Sequence, residues 1–311
     1  MLMVWSSASY QFFCILFLAV IGGCGMLIAV LKTIPRFRDL AASIWRPYFP
    51  WLIMGPLILG AVGLGEGAVA LSLFLLSIFC AKEFAKATGL YREGWFMAVL
   101  YLGIAGIYGA VWMGWFGLFT AMPVYAAAAL FLIPILKNQS KGMIQRVGLS
   151  AIALIYIGWF LSHLAFLEAF PNGAAYLLYL IMGTELNDAS AFLFGKFFGK
   201  HRFISNISPK KTIEGSLGAL AVTSLYTWGV SGYLPELHFG LLSLSALIIW
   251  LGGTFGDLII SFVKRDIGIK DMGALIPGHG GLLDRADSLI FVAPLYFHML
   301  KYFIAPTGFF Q

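Results

Sequence analysis

The chain has 311 residues, 60% of them hydrophobic and only 11% charged, with a formal net charge of +6 at pH 7. Its mean hydropathy is +0.90. So little polar surface cannot cover a water-soluble globule of this length, which excludes soluble enzymes and binding modules and leaves the polytopic membrane proteins.

Ten apolar runs follow in chain order, over residues 10–31, 49–65, 67–85, 95–111, 114–136, 147–167, 174–195, 216–233, 239–262 and 288–305. Each is close to the ~20 residues that a helix needs to cross the hydrocarbon. The expected fold class is therefore all-α, a polytopic transmembrane protein of about ten helices. The first run is longer than a signal-peptide core and no basic residue precedes it, so a retained helix is expected. The second is short and carries Pro56. Cys14, Cys24 and Cys80 all fall inside runs, where they act as small apolar residues without a disulfide or metal framework. His163 and His298 also fall inside runs and read as packing or hydrogen-bonded residues.

Basic residues orient the runs, because loops kept in the cytoplasm are enriched in Lys and Arg. With the N-terminus outside, the inward segments are 32–48, 82–94, 137–146, 196–215 and 263–287, and they hold 19 of the 20 basic residues, leaving only Lys301. The positive charge is thus the cytoplasmic face of an integral, multi-pass membrane protein and not a nucleic-acid footprint. No linker separates domains. Residues 1–170 read as a scaffold of helices and 171–311 as a catalytic region within one integral unit.

Chemistry gathers in that second part. Glu185, Asp188 and Asp257 lie in or at the ends of apolar runs, where an ionisable group is costly and marks a polar cavity, a partner or an ion. The segments 196–215 and 263–287 add nine basic residues, a charge suited to a polyphosphate and a lipid phosphate at one surface. Gly278, Gly280 and Gly281 after Pro277 allow a sharp turn and close approach to a ligand. A headgroup-binding loop of ordinary positive-inside type would show the same glycines and cations. Acids among them favour a site: Asp257, Asp284 and Asp188 are hard oxygen ligands of the kind Mg²⁺ takes. The bland alternative for any of them is pairing with a neighbouring Lys or Arg.

The run Ser261, Lys264, Arg265, Lys270, Asp271, Gly273, Pro277, His279, Gly280, Gly281, Asp284, Arg285, Asp287 resembles the signature of the phosphatidate cytidylyltransferase family, the CDP-diacylglycerol synthases. Gly256 and Asp257 resemble the Gly-Asp that precedes that signature, and the stretch from Asp188 to Gly215 is similar to a second conserved region. The resemblance implies that CTP and phosphatidic acid yield CDP-diacylglycerol and pyrophosphate with Mg²⁺, a second, monovalent cation being left open. It implies Asp257 and Asp284 as metal ligands with Asp188 as a third, and Lys210, Lys211, Lys264, Arg265, Lys270 and Arg285 as holders of the two phosphates. Ser261, four residues after Asp257 and so on its helix face, either donates to a phosphate or bonds its own helix. His279 either contacts a phosphate or shapes the turn, and Lys270 and Asp271 either serve the site or pair with each other. On family grounds alone the resemblance allows a homodimer in membrane lipid and places the protein in a bacterial inner membrane, its site facing the cytoplasm.

There is one departure. Ala189 and Phe192 stand where many relatives have a hydroxyl residue and a Tyr, which leaves the exact lipid phosphate open. Two other classes also stay open. A CTP-dependent lipid kinase would move the γ-phosphoryl group, with His279 or Asp271 as base. A transporter would use the intramembrane acids as a pathway, against which the charges gather in two loops rather than at mid-membrane.

Overall fold

The computed structural model of the chain describes residues 4–273 and 280–305. Every one of the ten apolar runs lies on a helix. In chain order these are α1 (Ala8–Thr33), a short amphipathic α2 (Arg38–Tyr48), α3 (Trp51–Leu64), α4 (Glu66–Ala87), α5 (Gly94–Trp112) and α6 (Phe116–Leu136). Then α7 (Met143–Ile152) runs through a π-helical segment (Ala153–Phe160) into α8 (Leu161–Leu167), followed by α9 (Gly173–Phe198), α10 (Ile213–Gly229), α11 (Phe239–Asp266) and α12 (Leu283–Phe303). Among the described residues, six helical stretches are long and apolar enough to cross a membrane: α1, α4, α5, α6, the stretch Met143–Leu167, and α11. The other four runs form helices outside that set. Of these α3 has 14 residues and α10 has 17, and α9 and α12 carry the acids and bases of the second part.

One element departs from an all-α reading. The segment 196–215 folds into an antiparallel hairpin of β1 (Arg202–Ile204) and β2 (Ser208–Thr212). Its polar composition supplies no apolar helical stripe, and its ends are fastened locally. The Thr212 hydroxyl accepts from the Gly215 amide at 3.1 Å and so caps α10. The Glu214 carboxylate accepts from the backbone amide of Lys200 at 3.0 Å.

Apolar side chains from Tyr10 to Leu300 share one buried cluster, and many large apolar residues, Ile15, Met26, Leu102 and Leu136 among them, remain on the outside. That outward apolar surface suits lipid as solvent. Glycines set how closely the second-part helices approach. A Cβ on Gly256 would sit 2.6 Å from the backbone oxygen of Asp287 and 2.8 Å from Ser288 Cα, and one on Gly252 would sit 2.8 Å from Val292 Cγ2. These two glycines, four apart on α11, form the small-residue seam that lets two helix backbones meet. Gly215 plays the same part between α10 and α9, with Ala191 O at 2.7 Å from its ideal Cβ.

Gly256→Ala should therefore lower thermal stability in detergent by about 1–3 kcal/mol, the range for overpacking against atoms that cannot yield. Gly22→Ala on α1, where no atom lies within 4 Å of the added carbon, should leave it unchanged or slightly raised.

Candidate active site between the β-hairpin, α11 and α12

One face of α11 carries Asp257, Ser261 and Lys264, spaced by four and three residues. Ser261 Oγ donates to Asp257 Oδ1 at 3.2 Å. The other oxygen, Oδ2, forms an ion pair with Lys211 Nζ at 2.8 Å, and the same ammonium donates to the Thr254 carbonyl at 3.0 Å. Lys211 thus pins the hairpin to α11. The side chain of Asp257 remains 32% exposed, enough to meet a ligand.

Asp284 is placed differently. It lies in the first turn of α12 with its side chain only 6% exposed, and its Oδ1 pairs with Lys264 Nζ at 2.7 Å. Its Oδ2 accepts from the Met272 amide at 2.9 Å and the Gly281 amide at 3.0 Å. Gly280 has φ +82°, and a Cβ there would lie 2.9 Å from Asp284 Oδ2. The turn needs glycine on both counts. Asp271 lies against the same glycine, its Oδ1 3.5 Å from that Cβ position.

A second carboxylate anchors this turn from a distant helix. Glu83 of α4 accepts the Leu283 amide through Oε2 at 2.9 Å, satisfying one of the orphan donors at the start of α12. A Cβ on Gly273 would fall 2.6 Å from Glu83 Oε1, and one on Gly281 would come closer still. The family-like glycines therefore make room for two buried acids.

Three aspartates from three helices lie within one another's electrostatic field. Asp188 of α9, Asp257 of α11 and Asp287 of α12 interact electrostatically, with Lys211 and Lys264 opposing the sum. Asn187 Nδ2 donates to Asp188 Oδ1 at 3.3 Å, and the Ser288 amide donates to Asp287 Oδ1 at 2.7 Å. Glu185 faces Arg285. Among the described residues, no three His, Cys, Asp or Glu side chains are grouped closely enough to hold a metal by themselves.

The remaining expected residues lie nearer the surface. Lys210, Lys270 and Asp271 are exposed, and among the described residues Lys270 and Asp271 make no ion pair with each other. Arg265 is exposed too, its Nε donating to the Ile207 carbonyl at 3.4 Å and its Nη1 to the Ile269 carbonyl at 3.3 Å. It ties the hairpin to the segment after α11. Pro277, Gly278 and His279 lie outside the described residues. Sequence reasoning overlooked Glu83, and it assigned no role to Asp287, Asn187 or Ser288. Only Asp287 carried a signal, its place at the end of the signature.

Glu214 fastens the rim of the hairpin. Its carboxylate accepts from His201 Nδ1 at 2.6 Å, and from the amides of Lys200 and His201. The imidazole bond, then the Lys200 amide, hold its pKa down at about 2 from the ordinary 4.5.

A model of the cytidylyltransferase family matches residues 47–303 of the chain. The uncharacterized protein YnbB of Escherichia coli (strain K12) is 34% identical over 239 residues, 73% of this chain and 77% of that protein. The phosphatidate cytidylyltransferase of Staphylococcus aureus (strain COL) is 39% identical over 160 residues, 51% of this chain and 60% of that protein. That of Staphylococcus haemolyticus (strain JCSC1435) is 39% identical over 161 residues, with the same shares. The match thus spans three fifths of the two staphylococcal proteins.

Glu83→Ala should cost about 1–3 kcal/mol in thermal unfolding by leaving a buried amide without its acceptor, whereas Glu83→Gln, which keeps a carbonyl oxygen, should cost less. A depressed carboxylate pKa contributes stability above its unfolded value and loses it as pH falls through the folded one. Protection factors for exchange at Lys200 and His201 should hold from neutral pH to about 4.5 and fall between there and about 2. In Glu214→Gln the amides should exchange fast throughout.

Proposed function

The chain belongs to the cytidylyltransferase family, and we propose that it joins CTP to a lipid phosphate, phosphatidic acid in the first instance, giving CDP-diacylglycerol and pyrophosphate. The observation that carries this reading is the adjacency of two ion pairs, Lys211–Asp257 and Lys264–Asp284, at the meeting of the hairpin, α11 and α12. Lys211 is held by the Asp257 carboxylate and the Thr254 carbonyl, and Lys264 by the Asp284 carboxylate, which two backbone amides hold in turn, before any substrate arrives. Fixed cations of this kind suit a reaction that is mostly positioning and charge neutralisation.

In the proposed reaction an oxygen of the lipid phosphate attacks the α-phosphorus of CTP, a new P–O bond forms, and the bond to the β-phosphate breaks. The lipid phosphate is already ionised at neutral pH, so no residue has to act as its base. Lys211 and Lys264 draw the two anions together, and exposed Lys210, Arg265 and Lys270 extend the positive field toward water. Ser261 holds Asp257 Oδ1, which keeps that carboxylate oriented.

Magnesium suits the donor set. The ion takes one or two carboxylates and completes its shell with water and substrate phosphates, so the lack of a three-carboxylate cluster among the described residues is no obstacle. Asp257, half-exposed and electrostatically coupled to Asp188, would hold it with Asp188. When bound, the ion offsets charge on the departing pyrophosphate. Asp284 is sealed in, its side chain 6% exposed against 32% for Asp257, and we assign it to orienting Lys264 and closing the turn. The basic segments face the cytoplasm and the membrane is a bacterial plasma membrane.

The test is to supply purified protein with Mg²⁺, phosphatidic acid or diacylglycerol, and CTP labelled at the α or the γ phosphorus. Label from the α position should enter phosphatidic acid with release of pyrophosphate. Transfer of the γ label to diacylglycerol would replace this reading with a kinase. Asp257→Asn should lower kcat by about 10²–10³-fold, the scale for removing one electrostatic contact to the transition state, without changing the unfolding temperature by more than a degree or two.

A further inference from the structure

An apolar cavity of about 220 Å³ opens between β1, α10 and α11. It is lined by Phe203 of the hairpin, Leu217 and Ser216 of α10, and Leu251, Phe255 and Trp250 of α11. The indole and the serine among its walls are already bonded to each other. Trp250 Nε1 donates to the Ser216 carbonyl at 2.8 Å and lies 3.1 Å from its hydroxyl oxygen. A cytosine ring or a ribose would find few free partners on such walls. Large apolar side chains are nevertheless left outward here, Phe203 at 41%, Leu217 at 55% and Leu251 at 42% exposure.

What distinguishes this cavity from ordinary lipid-facing surface is its rim. Thr254, one of its lining residues, gives its carbonyl to Lys211 Nζ at 3.0 Å, and the same ammonium pairs with Asp257 at 2.8 Å. Asp257 stands three residues further along α11, about 4.5 Å at 1.5 Å per residue. An apolar trough thus ends at a fixed cation beside the candidate reaction centre. The ligand that matches both parts has a hydrocarbon body and an anionic head.

We propose that this cavity receives an acyl chain of the lipid phosphate, so that Phe203, Leu217 and Leu251 set which chains bring their phosphate to Lys211. The inference rests on the transferase reading above and names residues that select its lipid substrate. Chain burial there supplies binding energy remote from the reacting atoms, which positions the head for attack. The hairpin then has two duties, since β1 walls the chain while β2 carries Lys211.

Two measurements test it. The first compares kcat/KM for dioleoyl and dihexanoyl phosphatidate in wild type, Leu217→Trp and Leu251→Trp. The long-chain to short-chain ratio should fall about tenfold in each variant while the KM for CTP stays put. An unchanged ratio, with both lipids losing equally, would overturn the proposal. The second uses phosphatidate and phosphatidylcholine carrying a photoactivatable diazirine on one acyl chain. Phosphatidate should label the cavity residues several-fold more than phosphatidylcholine, and equal labelling would mean a general lipid-facing surface and sink the idea. If wild type transfers nothing from CTP to any lipid phosphate, the transferase reading fails by itself, and the labelling experiment still decides whether the cavity prefers an anionic lipid.

Discussion

Both oxygens of Asp284 are committed, one to the Lys264 ammonium and the other to the amides of Met272 and Gly281. A carboxylate with a side chain only 6% exposed tolerates its charge only when paired and fully hydrogen-bonded. Keeping it so dictates the local path of the chain. The segment after α11 must turn back to present Met272, and Gly280 must adopt a positive φ so that Gly281 can reach. Leu283 then starts a helix whose first donors need a second acid. Glu83 provides it from α4, so a helix of the first part of the chain supports this turn. Removing Asp284 would leave the Lys264 ammonium and two amides without their acceptor, and removing Glu83 would leave the Leu283 amide without one, in a place water reaches poorly.

Close packing follows from the same demand. Asp257 and Asp287 can share the field of Lys211 and Lys264 only if α11 and α12 approach nearly backbone to backbone, and Gly252 and Gly256 permit that. Three aspartates from three helices then lie near enough to repel one another, a cost that a folded protein carries where function needs it. In the proposed reaction that stored repulsion favours an arriving cation, and the two ammonium groups favour arriving phosphates.

The hairpin links these electrostatics to the apolar cavity. Ion pairing of Lys211 with Asp257 fixes β2 over α11, and Glu214 secures the base of the hairpin through His201 and Lys200. Phe203 thereby lines an apolar trough in which Thr254 gives its carbonyl to the same lysine. A polar segment of 20 residues between two apolar runs thus becomes a rigid part of the site rather than a solvated connection.

Each of the ten apolar runs lies on a helix, because the period and length of an apolar run are properties of neighbouring residues and depend on nothing far away, whereas the amphipathic α2 lies in a segment whose basic residues read as a loop. The dense signature from Ser261 to Asp287 likewise singled out a candidate site, since residue types suited to phosphate and metal sit within one short segment. Partners were another matter. Glu83 stands 200 residues from Leu283 within a run that reads as span and basic loop, and no local spacing announces that its carboxylate will cap α12. Asp284 and Asp257 look alike as acids near lysines, yet one is sealed into a turn and the other half-exposed beside a hairpin strand. Apolar periodicity tells how deep a residue lies but not which helix it will face. Which acids converge, which cation each one holds and where the lipid-facing trough meets them were decided only when α4, α9, α11 and α12 packed together.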